Sequence, residues 1–185
     1  MLSPASSAPN SLISPNGRGS EQQFLHFFLE PDSEAMLPVA QLTEVLTVPL
    51  GQIVPIPHLP AWTMGVYNWR GEILWVVDLG HLLGLTPWHR QVSSRSNYQV
   101  IILNGGREDN RRSSPDRHSL LGLVVSQVKD IETLDTNMIQ SIPSASVSSQ
   151  LVPYLRGFWV DSQNNMFVVL EGRAIIERVK QAKVS

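Results

Sequence analysis

The 185-residue chain has no cysteine. A disulfide framework, a thiolate zinc site and a cysteine nucleophile are therefore ruled out, and a reducing compartment suits the composition. Charge of one sign is also lacking: 14 basic and 16 acidic residues leave a formal net charge of −2. That balance lacks the positive field that nucleic-acid binding needs, and it is too mild for an acidic solvating tail. Long hydrophobic runs are missing as well. The longest, Ile73 to Val77 and the glycine-interrupted Leu120 to Val125, fall far short of the roughly 20 residues that span a bilayer, so no direct membrane insertion is expected. Residues 1–20 contain no basic stretch followed by an apolar one, so no secretory signal is expected.

Catalytic signatures are equally scarce. There is no Gly-x-Ser-x-Gly elbow, no Gly-x-x-x-x-Gly-Lys phosphate loop and no His-Glu-x-x-His pair. His26, His58, His81, His89 and His118 fall on different predicted elements without metal-ligand spacing. Glu72 and Asp78 share a strand face by parity, but six strand residues hold them about 20 Å apart, too far for paired acid–base work. No catalytic, metal or cofactor-binding residues are assigned, and a non-enzymatic protein is expected.

What is present is a core. An apolar content of 42% in a chain of this length can fold as one domain or as two small subdomains sharing a core. Residues 1–20, rich in Ser, Pro, Asn and Gly, read as a flexible leader, with the folded domain over 21–185. Phe24 to Leu29 reads as a first strand, followed by a turn over Pro31 to Glu34. Ala35 to Leu46 reads as a strand into a bend or one helical turn, then another strand. Ile53 to Pro57 is extended and proline-punctuated, and Pro60 to Met64 suits a short helical turn. Asn68 and Gly71 are turn formers, and the run Ile73 to Val77, apolar at every position, predicts a buried strand. Asp78 is placed to cap a short helix, Leu79 to Leu83, that stops at Gly84. Further strands are expected at Tyr98 to Leu103 and Leu120 to Val128, separated by a mobile polar loop over about 104–119. Its Arg107, Arg111, Arg112 and Arg117 are interleaved with Glu108, Asp109 and Asp116, which suits a solvated hairpin tip rather than an anion site. Lys129 to Ile142 reads as irregular or short helical structure. Tyr154 to Asp161 and Met166 to Leu170 form a last hairpin, and Arg173 to Ala182 an amphipathic helix.

The chain also repeats weakly. An offset of 86 places Gln41 to Val45 over Gln127 to Ile131, and Ile53, Ile56 and Pro57 over Ile139, Ile142 and Pro143. With six further residues inserted, Gly65 falls on Gly157 and the Ile73 to Val77 strand near Met166 to Leu170. This collinearity predicts two related β subdomains of several short strands each. The second half lacks an Asn-x-Arg-Gly turn.

Candidate contact residues gather around that turn. Arg70 is either an ordinary surface arginine in a hairpin or a five-donor fork presented to another protein by a turn on a rigid strand. Trp69 lies inside the polar turn, where burial is least assured, and a Trp beside an Arg matches the composition of interface hot spots. Glu44 lies on a predicted strand with Leu42 and Leu46 at the same parity, which implies a sheet edge or a partner-facing surface.

Together these residues resemble the CheW family of chemotaxis coupling proteins, whose hallmark is an Asn-Leu-Arg-Gly turn, a hydrophobic strand and an Asp-Leu before a short helix. Here the hallmark reads Asn68-Trp69-Arg70-Gly71 and Asp78-Leu79. The likeness runs from about Phe24 to about Ala182 and takes in Pro55 to Pro57, Gly65-Val66, Gly122 to Val125 and Tyr154 to Gly157. It implies a mainly β fold of two intertwined SH3-like five-stranded β-barrel subdomains with short helices and a C-terminal helix. It also implies a cytoplasmic adaptor, recruited to membrane receptor arrays, that couples the cytoplasmic tip of a methyl-accepting receptor to the regulatory domain of a CheA-type histidine kinase. The output would be flagellar chemotaxis or twitching, type IV pilus-based motility. Carried over by position, Asn68, Trp69, Arg70 and Gly71 would belong to the receptor and array contact region, and Leu42 and Glu44 to the receptor-binding strand. Trp69 departs from the family by replacing an aliphatic residue, Ser126 by standing where Asp is common, and Glu171-Gly172 by replacing an Asp-bearing helix start. A stand-alone β-barrel that binds a ligand or peptide without a kinase partner is the alternative reading.

Overall fold

The structure, a computed structural model, describes residues 20–30, 33–91, 96–105, 120–141 and 147–182. Most of the predicted leader, the Pro31-Asp32 part of the first turn and the polar loop with its four arginines lie outside the described residues. Ser20 lies inside them, and its carbonyl accepts the Thr136 N–H at 2.9 Å.

Ten strands and two α-helices are described: β1 (Glu21–Glu30), β2 (Ser33–Pro38), β3 (Leu42–Pro49), β4 (Thr63–Trp69), β5 (Glu72–Asp78), α1 (Leu79–Leu82), β6 (Asn97–Asn104), β7 (Leu120–Val125), β8 (Gln127–Asp135), β9 (Leu155–Val160), β10 (Met166–Leu170) and α2 (Gly172–Ala182). They form two five-stranded sheets, ordered β8-β1-β2-β10-β9 and β3-β6-β7-β5-β4. Position by position the two orders match, and so do the directions of pairing. Each has a single parallel pair, β10 with β2 and β5 with β7, and its other pairs are antiparallel.

The predicted repeat thus has a structural form. Each half of the chain runs as a hairpin, three strands and a helix. The β1–β2 hairpin of the first half joins β8, β9 and β10 of the second, while the β6–β7 hairpin of the second joins β3, β4 and β5 of the first. The halves exchange hairpins, and this exchange is the intertwining. The repeat extends to the isolated bridges Val54↔Val66 and Gln140↔Phe158, whose members are related by the same offsets of 86 and 92. It also explains the matched glycines. A Cβ on Gly65 would lie 2.0 Å from the Val54 carbonyl oxygen, and one on Gly157 would lie 2.6 Å from that of Gln140.

Three buried clusters follow from strand alternation. Val48, Leu74, Val76, Val100, Ile102 and Val124 are in the cluster inside the β3–β7 barrel, and Phe24, Met36, Leu134, Phe167 and Val169 fill the other. The largest cluster lies between the barrels, where Phe27 and Leu37 meet Ile101, Leu103 and Leu123, covered by Leu79 and Leu83 and by Ile175, Ile176 and Val179 of α2. Asp78 caps α1 as predicted: one carboxylate oxygen accepts the His81 N–H at 3.1 Å and the other the Trp88 N–H at 2.6 Å. The start of α2 is capped from a distance. The Gln41 side-chain oxygen accepts the Gly172 N–H at 2.9 Å, and its side-chain NH2 donates to the Glu171 carboxylate at 2.7 Å.

Four expectations are corrected. Leu120 to Val128 is not one strand, because the chain leaves one sheet at Ser126, whose N–H donates to the Phe28 carbonyl at 2.8 Å, and continues in the other as β8. Lys129 to Asp135 is accordingly strand, with only Thr136 to Met138 forming a 3-10 turn. Pro60 to Met64 forms a turn that passes into β4 at Thr63 rather than a helical segment. Finally, Ile73 is 74% exposed. Pairing of β5 with β7 begins at Trp75, so Ile73 lies beyond the covered part of the sheet, opposite Asn68 beside the turn.

Candidate partner-binding site

Residues β4 and β5 are joined by a two-residue loop, Arg70-Gly71, with Trp69 paired to Glu72. Both loop residues have positive φ, +53° and +84°, as a type I′ turn requires to match the twist of its strands. Glycine adopts this region freely, whereas an arginine there is strained. Asn68 secures the turn by accepting the Gly71 N–H at 2.9 Å.

The strands β3 and β4 are the two edges of their sheet. Glu44 of β3 ties them together: one carboxylate oxygen accepts the Trp69 indole N–H, and the other accepts from Arg70 Nη2 at 2.6 Å. The Arg70 guanidinium lies 4.9 Å from the centroid of the Trp69 ring, within cation–π range. Arg70 nevertheless keeps 69% of its side chain exposed, against 24% for Glu44. Trp69 is half-buried against the barrel interior. The indole is thus both packing and lever, holding the carboxylate that holds the arginine.

Five of the six expected contact residues, Glu44, Asn68, Trp69, Arg70 and Gly71, come together here. Leu42 does not. A bulge between Leu42 and Glu44 pairs Leu42 with Leu103 but Glu44 with Ile102, so Leu42 turns toward the inter-barrel core and no longer shares the Glu44 face. The pairing of Glu44 with Arg70 went unforeseen, although opposite charges on two edge elements were a signal for it.

Among the described residues the other barrel has no equivalent clasp. At the matching end of β9, Asp161 closes its own loop by accepting the N–H groups of Gln163 and Asn165, each at 2.8 Å. Asp130, which matches Glu44, lies beside His26, whose Nδ1 is 3.4 Å from its carboxylate and whose Nε2 is 2.8 Å from Glu34. Donor atoms of His26, Asp130 and Glu132 fall within 4.8 Å of one another. The His26 ring is thus set among carboxylates, a polar cluster between three strands. The histidine brings these acids together only through the fold.

Glu72 and Asp78 stand at opposite ends of β5, and both Asp78 oxygens are occupied by backbone N–H groups. The arrangement defines a class: a two-barrel β module that presents an anchored, exposed guanidinium on a rigid hairpin. Comparison with known proteins makes the class particular. The CheW-like domain model matches residues 23–180, and the chain belongs to that family. Two curated relatives are similar over part of their length. One, from Rhizobium etli, is described as a probable chemotaxis protein CheW and is 33% identical over 96 residues, 52% of this chain and 51% of the relative. The other, a chemotaxis protein CheW from Rhizobium meliloti, is 33% identical over 89 residues, 48% of each. The chain thus spans about half the length of the curated relatives it matches. Among solved structures, the scaffolding protein TtCheW from Thermoanaerobacter tengcongensis superposes with a TM-score of 0.63 at 20% identity, covering 81% of this chain and 88% of that one. The fold is therefore the expected pair of SH3-like subdomains.

Proposed function

We propose that the protein is a non-enzymatic adaptor that couples the cytoplasmic tip of a methyl-accepting receptor to the regulatory domain of a CheA-type histidine kinase in motility control. Family membership supports this reading, and the single structural observation that carries it is the Arg70 side chain, mostly exposed on a strained turn and aimed by Glu44 and Trp69. Backbone strain of this kind clusters at binding and switch sites, which motivates the reading. Glu44, Asn68, Trp69, Arg70 and Gly71 form the contact site, with Leu42 half-buried beside it against the inter-barrel cluster. The adaptor works in the cytoplasm, recruited to receptor arrays. No helix among the described residues is long and apolar enough to cross a membrane. Each specific interface would bury roughly 1,200–2,000 Å², or less as one weak link of a cooperative array.

Co-purification from the native cell tests both parts of the reading. Wild-type protein should bring down a histidine kinase and a methyl-accepting receptor, and Arg70→Ala should bring down less of at least one. If neither partner appears with the wild-type protein, the adaptor reading fails in favour of a stand-alone binding module. If both appear and Arg70→Ala retains them fully, the adaptor stands but the site is misplaced.

A further inference from the structure

Away from the hairpin, α1, the turn after it, the 150–154 segment and α2 enclose an open groove of about 800 Å³. Its lining mixes polar and apolar groups, with Trp62, Leu82, Leu85 and Tyr154 supplying the apolar and aromatic part. Its wall is closely built. Gly84, at φ +83°, ends α1 in a conformation that favours glycine, and the Gln150 side chain lies over it.

The charges of the groove are unbalanced. Arg90 and Arg178, on separate elements, line it with exposed side chains, and neither has an ion-pair partner among the described residues. The one acidic residue lining it among the described residues, Glu177, is paired with Lys180 at 3.3 Å. Two guanidiniums without an ion-pair partner among the described residues thus flank these apolar side chains in a chain whose net charge is −2.

We infer that this groove docks an acidic peptide segment of a partner protein, with an apolar side chain seated on Trp62, Leu82 and Leu85 and carboxylates met by Arg90 and Arg178. Guanidiniums recognise carboxylates by paired hydrogen bonds, and arginine clusters are a recurring means of reading acidic motifs. An open groove with exposed cations suits an extended chain better than an enclosed small molecule, which needs most of its surface buried. The chain's own residues 1–19 contain one arginine and no acid, so their charge does not match. The inference does not rest on the receptor and kinase assignment, since it uses none of the hairpin residues.

A capped synthetic peptide of six glutamates around a central Leu-Phe pair is the probe, titrated into the isotopically labelled full chain and followed by amide and indole NMR. Shifts should concentrate on the Trp62 indole and on Gly84, Leu85 and Tyr154, and weaken as salt is raised. The double variant Arg90→Glu, Arg178→Glu should bind about tenfold more weakly while melting as the wild type, because both side chains are exposed. The milder Arg90→Gln, Arg178→Gln pair should lose a smaller part, which guards against a misfolded charge-reversal variant. Absence of shifts in the groove, unchanged affinity in both variants, or equal binding of the lysine-for-glutamate peptide would overturn the proposal. So would identical shifts from free glutamate at matched charge, which would make the groove a small-anion site. Loss of the native receptor and kinase with intact peptide binding would leave this proposal standing and the adaptor reading fallen.

Discussion

At φ +53°, Arg70 carries a conformational penalty of about 1 kcal/mol that glycine would not. Its ion pair with Glu44, mostly exposed on the arginine side, returns about 0–1 kcal/mol. The two terms nearly cancel, which separates stability from binding. Arg70→Gly should melt at or above the temperature of Arg70→Ala, because it removes the strain along with the ion pair, yet both should lose the same partner contact. Thermal melts of the two variants beside the pull-down check this, and an Arg70→Gly protein less stable than Arg70→Ala would show that the turn is not strained. Asp135 gives a second test at this scale. The Ser20 hydroxyl, then the Asn137 N–H, bond its carboxylate and hold its pKa below the usual carboxylate value. A carboxylate with a lowered folded pKa stabilises the fold above its unfolded pKa, and that contribution is lost as pH falls through the folded value. Carbon-detected NMR titration should find Asp135 titrating below the usual Asp range, and Ser20→Ala should move the midpoint upward.

Among the elements, the matched strands β4 and β9 were legible because each carries a glycine at the same offset, but the reason for the glycine was not. Only the structure shows both backbones pressed against a bridge residue, Val54 in one barrel and Gln140 in the other. Gly65 combines the closer contact with φ +138°, whereas the Gly157 constraint is one of space alone. Gly65→Ala should therefore cost about 2–4 kcal/mol and Gly157→Ala less, measured by denaturant unfolding. Equal costs would mean that the bridge, not the backbone angle, sets the requirement. The hairpin turn, Asp78 and α2 were equally readable, since turn chemistry, capping and helical spacing are local signals. What escaped was non-local. Nothing in the apolar run at Ile73 shows that its neighbour β7 begins two residues further along. The crossing at Ser126 hides because the chain stays extended on both sides of it, and the bulge that turns Leu42 from Glu44 breaks a parity argument that assumes an unbroken strand. For the site, residue types were legible and their mutual bonding was not.

For the molecule as a whole, the exchange of hairpins decides how it can come apart. Neither half of the chain contains one complete sheet, since β3, β4 and β5 need β6 and β7, and β8, β9 and β10 need β1 and β2. The cluster between the barrels, with 19 buried residues against seven and five inside them, adds a second reason for the barrels not to act separately. Each fully buried Leu, Ile or Phe there contributes about 1.5–3 kcal/mol, so opening one barrel exposes the surface that stabilises both. Unfolding should be one cooperative transition, with calorimetric and van't Hoff enthalpies equal. Cutting the chain in the polar loop region would separate β6 from β7, but a cut between residues 91 and 96 leaves each half with its own hairpin and three strands. The two fragments so made should each give poorly dispersed NMR spectra alone and regain the native spectrum when mixed, because each supplies the hairpin that the other lacks. A first fragment that folds as a monomer would show that β1 and β2 can close on β3, β4 and β5 of their own half, and that the exchange is a preference of the linked chain rather than a requirement of the barrels.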